Sequence, residues 1–188
     1  MIARRSTLTR LVRGLTAGVL AALLIGGCVP AGPAAHPGPQ VVAAENFWGS
    51  IAAQVGGTHV NVTSIIANPN TDPHDYEPTV ADGRALATSR LVIVNGVGYD
   101  PWAQRLLAAN PDPRRIVLDV GRLAGVAAGG NPHQWYSPSV VHAVIAKLAA
   151  DLAAADPANA ADYAAQGRAV DTVAFARYDA LVAAIRSK

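Results

Sequence analysis

Two of the five histidines, His74 and His133, sit in polar, proline-stiffened segments of matching design. "NPNTDPHDYEP" (68–78) carries His74 directly behind Pro73, and "NPHQWYSP" (131–138) carries His133 directly behind Pro132. A neutral imidazole is the commonest protein ligand for a transition metal, and its second nitrogen is usually held by a carboxylate or a carbonyl. Asp72, Asp75 and Glu77 stand beside His74 as candidates to orient the ring or to ligate directly. On residue chemistry alone two readings stand. One is a His–His site for a divalent cation. The other is a pair of loop histidines whose neighbouring prolines and aspartates organise local turns. The other three histidines read as structural or solvated: His36 in a Pro/Gly/Ala tract, His59 in a strand pattern, and His142 on a helix away from its apolar stripe.

Strands and helices must alternate to place these loops. "VVAAEN" (41–46), "THVNVTSII" (58–66), "RLVIVNG" (90–96) and "RRIVLDV" (114–120) are short apolar or alternating runs that predict strands. Between and after them, helices are predicted over 47–57, 78–89, 101–110 and 138–155, and an Ala-rich helical segment of about thirty residues runs from Pro157 to the end. Four helices open on an X-Pro pair: Glu77-Pro78, Asp100-Pro101, Ser137-Pro138 and Asp156-Pro157. Proline at the first helical position wastes no donor, and the preceding Asp or Ser can cap the free N–H groups. The alternation predicts an α/β lobe, a parallel sheet of about four strands flanked by helices. Both histidine loops follow a strand and precede a helix, so both lie at the strand C-terminal edge, where such sheets gather functional residues. Two imidazoles far apart in sequence can therefore meet.

The N-terminus has a different character. "MIARRSTLTRLVRGLTAGVLAALLIGGC" has a basic start, an apolar run from Leu15 to Ile25 and small residues before Cys28, the only cysteine. Residues 1–27 read as a secretory signal peptide, too short an apolar run for a membrane span. Ile25-Gly26-Gly27-Cys28 resembles the bacterial lipobox, which makes Cys28 the lipid attachment site and 28–40 a lipidated tether. The expected location is extracytoplasmic, anchored to the cell membrane by the N-terminal lipid. A single cysteine excludes a disulfide framework. From residue 28 onward there are eleven Lys+Arg against thirteen Asp+Glu, so no nucleic-acid partner is expected.

Two enzyme chemistries compete for these residues. "VNGVGYDP" with Asp119 some twenty residues on has the context of a dinucleotide-binding turn, but Pro101 stands where a third glycine belongs. A zinc hydrolase would use two histidines and an acid, yet no HExxH pair is present and no residue stands out as general base. The chain is therefore expected not to be an enzyme. A surface adhesin-like lipoprotein is a further alternative.

"NPNTDPHDYEPT", "LVIVNGVGYDPW" and "NPHQWYSPSVV", in this order and behind a lipobox, resemble the zinc/manganese solute-binding lipoproteins of bacterial ABC importers. The resemblance runs from about Val41 to the end of the chain. It implies two α/β lobes joined by a long rigid helix, with a divalent metal held in the cleft and passed to an ABC permease. His74 and His133 would be the two ligands of the N-terminal lobe, 41–156, and 157–188 the linker helix towards a C-terminal lobe that supplies the remaining ligands. The expectation is a chain shortened to the first lobe and linker. Zinc is expected before manganese, although "GRLAGVAAGG" (121–130) lacks the histidine-rich loop of many zinc-type members. Many members also have Asp where this chain has Asn131, which would weaken the orientation of His133.

Overall fold

The computed structural model describes residues 38–187. The signal segment 1–27, Cys28, His36 and the tether up to residue 37 lie outside the described residues.

Four strands, β1 (Gln40–Glu45), β2 (Asn61–Ile66), β3 (Leu91–Val94) and β4 (Ile116–Asp119), form a fully parallel sheet in the order β2-β1-β3-β4. The expected α/β fold with a four-stranded parallel sheet is the one observed. Both central strands are buried on both faces, which is why their sequences read as unbroken apolar runs. On one face, Val41, Ala43, Leu91, Ile93 and Leu118 pack against helices α1 (Asn46–Gly56) and α5 (Pro138–Ala155). On the other, Val42, Ala44, Val92 and Val94 meet α2 (Val80–Thr88) and α3 (Pro101–Ala109) around the fully buried Trp102. Each large side chain so buried contributes about 1.5–3 kcal/mol. A short α4 (Val120–Leu123) follows β4 directly.

Three of the four X-Pro pairs place proline at the start of a helical turn, but their side chains do not cap as expected. The Asp100 carboxylate is drawn away to the preceding turn, and Asp156 binds the Asn159 amide and the Tyr163 hydroxyl. Glu77-Pro78 lies outside its helix altogether. Thr79 caps α2 instead, in a reciprocal capping box with Asp82. His59 lies in a 3-10 turn before β2, not in the strand, and its Nε2 pairs with Asp162 at 2.9 Å.

The terminal helical segment is interrupted. It opens with a 3-10 turn at Pro157–Asn159, continues as α6 (Ala160–Ala169), passes through a π-helical turn at Val170–Ala174 and resumes as α7 (Ala176–Arg186). Its first half belongs to the core: Tyr163, Gly167 and Val170 are buried against α1 and α5. Gly167 lets the two helices approach closely, since a Cβ there would stand 3.0 Å from that of Ala149 on α5. No residue of α7 is buried.

Candidate metal site

The parallel order puts one loop after every strand on the same edge, and the order reverses between β1 and β3. That reversal opens a crevice in which open α/β sheets bind their ligands. The turn after β3, Asn95 to Asp100, occupies it. Gly96, Val97 and Gly98 take left-handed φ values of 73°, 54° and 77°. For a β-branched residue such as Val97 this conformation is strained by about 1–3 kcal/mol, so neighbouring contacts must hold it. Two of those contacts come from the buried Asp100 carboxylate, which accepts from Asn95 N–H at 2.7 Å and Gly96 N–H at 2.8 Å. Gly96 cannot carry a side chain, since a Cβ would stand 2.4 Å from Asp119 Oδ1.

This turn joins the two histidine loops. Gly98 C=O meets His74 Nδ1 at 3.0 Å. The fully buried Asn95 accepts from Trp48 Nε1 at 3.1 Å and donates through Nδ2 to Pro132 C=O at 2.8 Å, next to His133. Tyr99 lies beside both histidines, its ring centre 5.0 Å from that of His74 and 6.0 Å from that of His133. Trp135 lies 5.0 Å from Tyr99, 5.2 Å from His133 and 4.3 Å from Phe47, forming an aromatic wall on the His133 side. The two histidines that the sequence singled out, in loops after β2 and β4, are thus brought against one phenol ring, and both remain exposed.

The hydrogen bonds fix the tautomer of each ring. A carbonyl only accepts, so His74 Nδ1 donates to Gly98, which leaves the lone pair of the neutral ring on Nε2. Asn131 Oδ1 accepts from the backbone N–H of His133 at 3.0 Å, so the atom facing the ring 2.7 Å away is the oxygen, and His133 Nδ1 donates to it. Both imidazoles are therefore held as Nδ1–H, Nε2-free rings, the form in which histidine ligates a metal. Two expectations need correction here. The acids around His74 do not orient its ring: Asp72 binds the His74 backbone N–H at 2.9 Å and leaves the ring to Gly98. Asn131 does not loosen His133, because its amide oxygen makes the orienting bond.

Of the aromatic residues near the motifs, Trp135 lines the site. Tyr76 and Trp102 pack together beneath the His74 loop with ring centres 4.9 Å apart, and Tyr136 is largely exposed. Asp119 is engaged as the cap of α4, accepting from Arg122 N–H at 2.9 Å.

Sequence reasoning did not single out the acids under the site. Glu45, the last residue of β1, is 1% exposed, and neither carboxyl oxygen has a hydrogen-bond partner among the described residues. Burial, reinforced by Asp100, pushes its pKa up to about 9. Burial also raises Asp100 to about 6, against the pull of the Gly96 and Asn95 N–H groups. Burial raises the Tyr99 hydroxyl, with Glu45 and Asp72 acting the same way through their charge. The one signal in the sequence was a carboxyl closing the apolar run "VVAAE". Among the described residues no group of three or more His, Cys, Asp and Glu has a metal-holding arrangement, so the histidines stand as a pair.

The chain is similar to known metal-binding proteins. A manganese-binding lipoprotein of Halalkalibacterium halodurans is 27% identical over 135 residues, covering 70% of this chain and 45% of that protein. An iron-binding protein of Yersinia pestis is 28% identical over 130 residues, covering 66% of this chain and 42% of its own length. The chain thus spans about half the length of the curated relatives it matches. The Mn-bound periplasmic metal-binding protein of Candidatus Liberibacter asiaticus shares the fold with a TM-score of 0.63, at 22% identity, over 71% of this chain and 52% of that one. The sequence model of the family described as zinc-uptake complex component A, periplasmic, matches residues 41–188, and the chain belongs to that family.

Proposed function

We propose that this chain is the N-terminal, cation-capturing part of an extracytoplasmic receptor that binds a divalent transition metal and hands it to an ABC permease. The observation that carries the reading is the pair of imidazoles, each with Nδ1 committed as donor and Nε2 free, set against one tyrosine ring. Such rings bind a cation, and the absence of a clustered third acid or histidine among the described residues favours a receptor site over a hydrolytic one. The metal is the cargo. Zinc is placed first and manganese second: the family description names zinc, relatives are named for manganese and iron, and intrinsic affinity favours zinc over manganese at most nitrogen sites. In this reading His74 and His133 are the ligands, residues 41–156 form the capturing lobe, 157–188 lead towards a second lobe, and Cys28 carries the lipid that keeps the receptor at the membrane.

Zinc titration calorimetry on the full chain tests the assignment. Binding is expected to be lost in His74→Ala and in His133→Ala. It is also expected to weaken in acid, because an imidazole must shed its proton to ligate. Tight binding that survives either substitution would falsify the ligand pair.

A further inference from the structure

Two neutral imidazoles bring a dication no negative charge, and Glu45, buried at the end of β1 and acting electrostatically on the Tyr99 beside both rings, has no assigned role. We propose that Glu45 is the charge-compensating group of this site: it carries a proton while the histidines are empty and releases that proton to solvent when a divalent cation binds. The inference rests on the receptor reading above and adds to it a residue that does not itself ligate.

Glu45 ends β1 at the edge of the crevice where the strand order reverses, immediately before Asn46 and Phe47 open α1. Phe47 packs on Trp135 at 4.3 Å and faces Tyr99 at 6.4 Å. Glu45 and Tyr99 act on one another electrostatically, and the Tyr99 ring is the surface against which both histidines rest. The carboxyl is fully enclosed, yet both oxygens lack a hydrogen-bond partner and no Lys, Arg or His pairs with it among the described residues.

Burial and the neighbouring charges favour the neutral acid, and only its own backbone N–H pulls the other way. Helix α1 carries no ionisable side chain. The β3–α3 turn presents the Asp100 carboxylate and the Tyr99 hydroxyl, and Asp72 and Tyr136 act on the same hydroxyl from the two histidine loops. A buried carboxyl facing another carboxylate keeps its proton at neutral pH. A dication arriving on the two Nε2 atoms reverses the sign of the local field, and the neutral acid then becomes the costly form. The step balances as one O–H bond broken at Glu45, with the proton passing to water and the electron pair staying on the carboxylate. No redox partner is needed. Charge compensation from a group that ionises only on loading spares the empty site a second buried anion beside Asp100, one with no hydrogen-bond donor to satisfy it.

Zinc alone is the probe. Calorimetry on the full chain near neutral pH, in buffers of differing ionisation enthalpy, counts protons released per zinc bound. Wild type is expected to release about one proton more than Glu45→Gln. The variant should still need His74 for binding while binding more weakly. Equal proton counts in the two proteins would overturn the role of Glu45 and leave the histidine assignment standing. Binding indifferent to His74→Ala and His133→Ala would overturn both. A second measurement needs no variant: the side-chain carboxyl carbon resonance of Glu45 should sit at its protonated position without zinc and at its ionised position with saturating zinc. An unchanged resonance sinks the proposal.

Discussion

At Asn131 the oxygen that orients His133 is in place, accepting from the ring at 2.7 Å and from the backbone at 3.0 Å. What a carboxylate would add there is charge rather than geometry. Asn131→Asp is therefore expected to tighten zinc binding by about tenfold, by raising the basicity of Nε2 and adding a negative charge beside the cation. Calorimetry reads the change, and an unaltered dissociation constant would show that orientation alone matters. Glu45 makes the complementary prediction for stability. Its folded pKa, about 9, lies above its ordinary value of 4.5. The neutral acid's share of stability is therefore complete below about pH 4.5 and is lost as pH rises towards 9. At pH 7 that loss is on the order of 3 kcal/mol. Glu45→Gln, which never ionises, should melt higher than wild type near neutrality by a margin that widens from acid to alkaline buffer. Parallel melting curves across pH would contradict the burial of a proton at this position.

Single elements explain why the site is rigid and where the chain can yield. The turn after β3 concentrates three left-handed residues, a buried carboxylate cap and a buried asparagine hub, and it contacts both histidine loops. The terminal helical segment is held differently. His142 on α5 reaches Asp171 in the π-helical turn at 2.5 Å through Nδ1 and Asp179 on α7 at 3.3 Å through Nε2. Its pKa is raised, chiefly by the Asp171 hydrogen bond. A histidine raised in this way contributes stability that is complete below its ordinary pKa, near 6.5, and is lost as pH climbs through the folded value. Amide exchange over 170–186, corrected for its intrinsic pH dependence, should therefore be slower at mildly acid than at alkaline pH, and His142→Ala should abolish the difference. Exchange that is independent of pH in wild type would remove His142 from this role. The same segment reaches the His133 loop, where the Tyr178 hydroxyl donates to Tyr136 C=O at 3.3 Å. The sequence read His142 as merely off the apolar stripe, since its partners lie 29 and 37 positions away.

Across the whole molecule, the α/β class, the parallel sheet and the loops carrying both histidines were legible in the sequence. Period-two and unbroken apolar runs report burial on one or two faces, and Pro and Gly mark the chain's turns, and both signals are local. The order β2-β1-β3-β4 was not legible, because four similar apolar strands pair equally well on pattern alone. The interrupted terminal helix was hidden for the same reason: an Ala-rich stretch favours helix throughout, while the π-helical turn answers to packing on α5 and α6. Even the helix starts divided this way. Three prolines opened helical turns as their backbone geometry requires, but the acids beside two of them were claimed by partners elsewhere.

By itself the sequence determined the kind of residue at the site and the edge of the sheet that presents it, because residue type and spacing govern local conformation and strand polarity. Only the tertiary structure decided which atom holds each imidazole, that Tyr99 lies beside both rings, and that Glu45 is sealed in the core at the end of β1. Those outcomes depend on contacts such as Gly98 to His74, 24 positions apart, and Asn95 to Pro132, 37 apart. Side-chain hydrogen bonding and desolvation are set by what the folded chain brings within about 3 Å, and no local pattern encodes that.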